Sequence, residues 1–287
     1  MSADEIRRRE LADFLRIRRA RITPADVGLP AGPRRRTPGL RREEIAEIAG
    51  VGLTWYTWLE QGRNIRVSAR VIERLARVLR LDAAEQVQFS QLAIPDRAPE
   101  AEPRQERSNP QIQRMLDNMA GSPALLMGRR WDLLAWNVAA RAVFLDYGRI
   151  PPAERNLLWL FFVNPAMRRM VADWEPRARD VLARFRADYG RFAGDPRFVA
   201  LIDRLKRASP EFADWWPRHD ILPRVRGRKL YDHPIAGRLL LDHATLSFTD
   251  DPHLKLVIYT PAAELDSIAK VDRLIASFRE PRTRKSA

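Results

Sequence analysis

Apolar residues return at helical intervals through the first third of the chain. In ELADFLRIRRARI, Leu11, Phe14, Leu15 and Ile22 share one face, and Arg16, Arg18 and Arg19 fall elsewhere. The helix ends before TPADVGLPAGPRRRTPG, whose prolines and glycines no helix tolerates. Two short helices follow, over residues 40–49 and 53–61, each stopped by a glycine. Gly50 and Gly62 suit the left-handed position just past a helix end. SARVIERLARVLRL predicts a fourth helix with Ser68 as its cap and Ile72, Leu75 and Leu79 inward. DAAEQVQFSQLA predicts a fifth, capped by Asp82.

The pattern changes after residue 93. IPDRAPEAEPRQERSNP is polar and proline-rich and predicts a linker. PALLMGRRWDLLAWN then reads as a short hairpin leading into a helix, and residues 153–218 read as several helices. GRLLLDHATLSF and HLKLVIYT read as strands joined by the turn residues TDDP. The second part is therefore α+β, and no internal repeat is visible.

Composition narrows the function. A chain of 287 residues, 45% of them hydrophobic, has room for two packed domains. Its net charge of +14 makes an anionic partner reasonable, although the excess is spread along the chain and is nearly all arginine. Without cysteine there can be no disulfide, thiolate zinc site or cysteine nucleophile, which fits a reducing cytoplasm. The start, MSADEIRRRE, has no apolar signal core, and the longest apolar run, LLWLFFV, is far too short to span a bilayer. A cytoplasmic protein without membrane association is expected.

The second of the two short helices carries the most specific signal. On a wheel that starts from Leu53 at zero, Trp55, Leu59 and Tyr56 fall at roughly 200°, 240° and 300°, and Thr57, Thr54 and Trp58 at roughly 40°, 100° and 140°. Trp55, Tyr56 and Leu59 thus form the core side. Leu53, Thr54, Thr57 and Trp58 point away. Hydroxyls and apolar groups on an outward face suit base edges and thymine methyls in a major groove. A glycine turn between two such helices is the helix-turn-helix pattern. RRRTPGLRR supplies Arg34, Arg35, Arg36, Arg41 and Arg42 before it, and Arg63 and Arg66 follow, all suited to phosphate. The competing reading for any one arginine is a solvated charge.

At this point the chain resembles a known family. GLRREEIAEIAGVGLTWYTWLEQGRNIRVSARVIERLARVLRLDAAE is similar to the DNA-binding domain of phage-repressor-type (XRE) bacterial regulators. TWYTWLEQGR resembles the MmyB-like group, in which this domain precedes a PAS-like ligand-binding domain. In the second half the resemblance rests on RRWDLLAWN, ERNLLWLFF, SPEFADWWPRHD and KLYDHPIAG. It implies an all-α helix-turn-helix domain of five helices at 1–95, a linker at 96–110, and an α+β PAS-like domain at 111–280 with an antiparallel sheet packed by helices. It also implies base reading by Leu53, Thr54, Thr57 and Trp58, phosphate contacts by Arg42, Arg63 and Arg66, and a buried pair of Arg16 with Glu60. Two positions depart from the family pattern. Gly52 replaces the usual serine cap, and Pro176 interrupts a helix that is usually continuous, so a kink or break is expected there.

The same resemblance implies a long-chain fatty acid, or a similar lipid, as ligand. Such a pocket needs apolar walls and one or two polar anchors. Six of the eight tryptophans lie beyond the linker. The candidate walls are Trp131, Trp136, Leu158, Phe161 and Phe162, and the candidate anchors are Arg155 and Asn137. The competing reading has the tryptophans fill the core, Asn137 cap the next helix and Arg155 pair with an acid. The four histidines fit no metal site, and no catalytic motif is visible, so neither an enzyme nor a cofactor beyond the lipid is expected. The expected protein is a one-component transcription regulator that binds an operator in double-stranded DNA as a homodimer and senses an apolar small molecule. The alternative keeps DNA binding and makes the second domain a dimerisation or protein-docking module. An enzyme that carries a DNA-binding domain has the least support.

Overall fold

The computed structural model describes residues 2–30, 39–94, 109–218, 227–249 and 251–279. Five helices come first: α1 (Ala3–Arg21), α2 (Arg42–Ala49), α3 (Leu53–Glu60), α4 (Ala69–Val78) and α5 (Ala83–Ala93). Then come α6 (Pro110–Asn118), β1 (Ala124–Met127), β2 (Leu133–Trp136), α7 (Val138–Val143), α8 (Leu157–Val163), α9 (Pro165–Met170), α10 (Trp174–Tyr189), α11 (Pro196–Ala208) and α12 (Pro210–Trp215). The order closes with β3 (Lys229–His233), β4 (Gly237–Ser247), β5 (Lys255–Pro261) and α13 (Ser267–Arg279). These elements pack as two compact units, Met1–Pro99 with Leu182–Leu222, and Glu100–Val181 with Pro223–Ala287.

In the first unit the expected caps are present. Ser68 accepts from Val71 N at 3.4 Å, and Asp82 and Glu85 cap each other's backbone N–H groups at 2.8 and 2.9 Å. Gly50 and Gly62 are left-handed, at φ 63° and 72°. Leu40 falls outside α2. Its N–H donates to Ile22 O at 2.9 Å and its side chain is fully buried, so the loop before α2 is anchored to the end of α1. Arg18 departs from expectation. It lies with Leu11, Phe14 and Leu15 on the buried face of α1, where Glu85 of α5 meets it at 3.2 Å.

Residues 182–222, expected with the second domain, pack in this first unit. Phe185, Tyr189, Phe192, Phe198, Phe212 and Trp216 form one aromatic cluster, with Phe212 and Trp216 stacked at 5.4 Å. Trp215 and Trp216 therefore belong to this core. A side chain at Gly194 would strike the Ala3 backbone at 2.4 Å, so this segment lies directly against the start of α1. Burial pushes the Glu10 carboxyl of α1 up, and Arg186 of α10 opposes that shift.

The second unit is built on a five-stranded antiparallel sheet in the order β2-β1-β5-β4-β3. Leu126 of β1 pairs with Ala135 on one side and Leu256 on the other, and the three bury with Ala124 against Leu116 of α6. Leu239 and Leu241 alternate inward on β4, and α13 covers that strand beside α7. Pro176 does not kink a helix. It is the third residue of α10, where the missing N–H has no intrahelical partner to lose, and the break falls earlier, between Met170 and Trp174. Two elements were not read from the sequence pattern: strand β3, which forms a hairpin with the adjacent β4, and helix α13, which packs chiefly on α7.

Candidate functional site

The two helices of the glycine turn are locked from behind. Ile45, Ala46 and Ala49 of α2 and Tyr56 and Leu59 of α3 are buried, and the small alanines let the helices approach closely. Trp55 is half-buried at the edge of this seam. Leu53, Thr54 and Trp58 are exposed, with Leu53 at 48% and Trp58 at 39%, and Thr57 is intermediate. Gly52 caps α3 in an extended conformation without a side-chain bond. The Arg63 guanidinium lies 5.4 Å from the centre of the Trp58 ring, so the indole carries a cation over one face.

Below this face sits a buried carboxylate. Arg19 Nε and Nη2 donate to the two oxygens of Glu60 at 2.9 and 2.8 Å, and Arg42 Nε reaches Oε1 at 3.0 Å. Burial raises the Glu60 carboxyl, but Arg19 and then Arg42 more than reverse this and leave it below the usual range. The expected partner, Arg16, is corrected. It is exposed and pairs with Asp13 at 2.6 Å. On a wheel that starts from Leu11 at zero, Arg19 falls at roughly 80° and Arg16 at roughly 140°, so Arg19 stands nearer the buried residues Leu11 and Leu15. Arg19 Nη1 also holds Leu40 O at 2.9 Å and so fastens the entrance to α2.

The other expected phosphate contacts are disposed as follows. Arg42 keeps nearly half its side chain exposed while bound to Glu60. Arg41 is the N-cap residue of α2 and touches Glu43 at 3.3 Å. Arg66 is exposed. Arg34, Arg35 and Arg36 lie outside the described residues.

In the second unit both expected anchors are committed to the protein itself. The Asn137 amide nitrogen donates to Met119 O at 2.9 Å and Ser122 O at 2.8 Å, with Leu116 O at 3.3 Å. Its oxygen accepts from Ala124 N and Ala140 N at 3.1 and 2.9 Å. Asn137 therefore caps α7 and ties α6 to β1, which uses its full hydrogen-bonding capacity. Among the described residues Arg155 forms no ion pair with an acid. Its Nε holds Ile150 O at 2.8 Å, its Nη2 holds Gly148 O at 3.2 Å, and its guanidinium covers Trp136.

The expected walls divide. Trp131 is buried in the β1–β2 turn at φ 66° under Lys255. Leu158, Phe161 and Phe162 of α8 are buried, with Phe162 edge-on to Trp174 at 5.8 Å. Trp136 packs on Tyr147 at 5.4 Å. Nearby, Phe144 meets Tyr231 and Tyr259 at 5.2 and 4.8 Å. Burial raises the Tyr147 and Tyr231 phenols, and Tyr259 adds to the shift of each. These tyrosines had no signal in sequence, since three separate elements bring them together. His233 of β3 is held on both ring nitrogens. Nδ1 accepts from Ile235 N and Ala236 N at 3.2 and 3.1 Å, and the ring donates to the Ala142 carbonyl.

With this geometry established, comparison with protein families is decisive. The model of the MmyB-like transcription regulator ligand binding domain matches residues 108–274, more than half of the chain. The chain belongs to the MmyB-like family of transcription regulators. A helix-turn-helix domain model matches residues 10–89, which contain α2, α3 and the glycine turn. A comparison with curated proteins finds no match. This MmyB-like chain is thus a DNA-binding transcription regulator with a ligand-binding domain. Its ligand-binding match runs through residues 182–222, the segment that packs in the first unit. Among the described residues no helix is long and apolar enough to cross a membrane, and no three metal-ligating side chains come together.

Proposed function

We propose that this MmyB-like regulator is a one-component cytoplasmic switch that binds its operator as a homodimer and is controlled by an apolar small molecule, a long-chain fatty acid. Leu53, Thr54, Thr57 and Trp58 meet base edges. Arg41, Arg42, Arg63, Arg66 and the Arg34–Arg35–Arg36 run meet phosphates. The observation that carries the reading is the outward face of α3, an exposed indole and threonine on a helix whose opposite face is locked by Tyr56, Leu59 and the Glu60 pairs. A dimer reads two half-sites related by its own symmetry.

Ligand control requires that the two states of the protein differ in ligand affinity. Selection of operators from random DNA tests the whole reading. A recovered palindromic site whose affinity changes when dodecanoic acid is added supports it. Binding without sequence preference, or unchanged by the acid, overturns it.

A second reading, in which the C-terminal domain only dimerises or docks a protein, is favoured by the bonds that Asn137 and Arg155 make to the chain's own backbone. Native mass spectrometry separates the two. A co-purified lipid removes the second reading, and a clean apo mass with no thermal shift on adding fatty acids removes the first.

A further inference from the structure

The sheet of the second unit leaves one strip of strand edge unanswered among the described residues. At the β2 edge Asp132 bridges to Asn156, and Leu133 N donates to Arg155 O at 2.7 Å. At the opposite edge Tyr231 of β3 bridges to Val171. Strand β3 pairs with β4 only from Gly237 to Leu241, whereas β4 runs on to Ser247. Beyond Leu241 the described partner of β4 is β5 alone.

Alternation along the strand shows which backbone groups face this gap. Leu240 O accepts from Ala262 N, just past β5, at 2.9 Å, so Leu240 turns its backbone groups toward β5. Asp242, Ala244 and Leu246 follow the same phase, and Thr245 and Ser247 turn their N–H and C=O groups outward. Pro261 agrees with this phase. It lies opposite Leu241, in a pair that exchanges no bond with β5, so its missing N–H costs the ladder nothing.

The side chains of the strip are open as well. Ala244, Thr245, Leu246 and Ser247 are all exposed, with Leu246 at 53%. Leu246 shares a sheet face with its β5 partner Leu256, which is buried with Leu116 of α6, and Phe248 packs against that cluster. A free strand edge is ordinarily protected by lysine, proline or a bulge. Residues 244–247 contain no charged residue and no proline, and their pairing with β5 keeps one register throughout.

We propose that this strip is the self-association surface of the protein, to which β4 of a second copy adds antiparallel. A two-fold axis at Leu246 sets Thr245 of each copy opposite Ser247 of the other, and each such pair exchanges both N–H···O bonds. The two Leu246 side chains then meet on the axis in a non-hydrogen-bonded pair, with Cα atoms about 4.5 Å apart. Ala244 of each copy faces Phe248 of the other, so the apolar face continues across the joint. The occupant is a second copy because the strip complements itself. Its outward residues answer one another, its one large exposed side chain meets its own twin, and its lack of charge lets two chains of net charge +14 approach without opposed like charges. The strip is short, so the pairing is reversible, and two copies held on one operator gain from their high effective concentration. This inference rests on the homodimer reading and adds the surface that makes the dimer.

The test is sedimentation equilibrium of the full chain over a range of concentrations, free and on operator DNA, with the melting temperature as a control for folding. Thr245→Pro removes an N–H that β5 does not use, and Leu246→Lys sets two like charges on the axis. Each should weaken dimerisation at least ten-fold. The chain has no cysteine, so Leu246→Cys supplies a single thiol, which should cross-link two copies on mild oxidation. Ala244→Cys, whose thiols would lie apart, should not. If Thr245→Pro disturbs the fold, the exposed Leu246→Lys and the two cysteine variants decide. Dimerisation as tight in the variants as in the wild type overturns the edge and leaves the homodimer reading intact. Equal cross-linking of the two cysteine variants overturns the pairing at Leu246. A wild type that stays monomeric at every concentration, on DNA as well as free, overturns the homodimer reading and the edge with it.

Discussion

Arg19 and Glu60 meet as a two-bonded pair that joins the end of α1 to the end of α3, at 2.9 and 2.8 Å. The carboxylate is fully buried and the arginine nearly so. Removing one member of a buried pair strands the other, so Glu60→Gln is expected to destabilise the N-terminal helices by about 3 kcal/mol. Arg42 adds little to this figure because its half-exposed charge is screened by water. The sign of the pH dependence follows from the lowered Glu60 carboxyl. Its stabilisation is full above the ordinary value of 4.5 and is lost as the pH falls through the lower folded value. Urea titrations below pH 5 should show the wild type losing its advantage over Glu60→Gln. A constant difference at all pH values would rule out the pair as the cause.

The Arg63 guanidinium lies over the Trp58 indole, so the proposed base reader and the proposed phosphate contact are expected to act together. Trp58→Ala should cost about 1–3 kcal/mol at one base position, and it should also loosen Arg63 and weaken binding to all sequences slightly. Arg63→Ala should reduce the salt slope by about one without altering preference. The double variant should then fall short of the sum of the single losses. Strict additivity in a binding series would show that the stack has no role.

Leu59 is buried against the helices behind α3. Leu59→Ala leaves a cavity there and should cost about 2–5 kcal/mol in thermal or denaturant unfolding. Trp58→Ala, one residue away, should barely move the melting temperature. Equal effects from the two variants would contradict the division of the helix into a buried and an outward face.

His233 should make the second unit sensitive to mild acid. Burial lowers its ring below the ordinary 6.5, partly offset by the bond to Ala142, and Nδ1 serves as acceptor for the turn after β3. The folded ring therefore binds a proton less readily than the unfolded one, so stability is full above 6.5 and declines as the pH falls below it. His233→Asn should flatten this decline while lowering stability at neutral pH. A melting temperature of the wild type that does not change between pH 7 and pH 5 would refute it.

The parts legible in the sequence are those determined by neighbours within one or two helical turns. The caps Ser68 and Asp82, the stops at Gly50 and Gly62, and the split of α3 between Leu59 and Trp58 all depend on spacing along one segment. The hairpin β1–β2 and the strands β4 and β5 followed from runs of apolar residues flanked by turn chemistry. Tertiary structure decided which partner each polar group took. Glu60 chose Arg19 over Arg16 because α1 packs on α3 along one stripe. Asn137 spends its amide on backbone carbonyls near α6, since a buried amide is satisfied by whatever lies closest after folding. Residues 182–222 joined the first unit through contacts between segments far apart in the chain. Helical and strand periodicity is written over a few residues, whereas burial and pairing depend on how whole elements pack, and no local pattern records that choice.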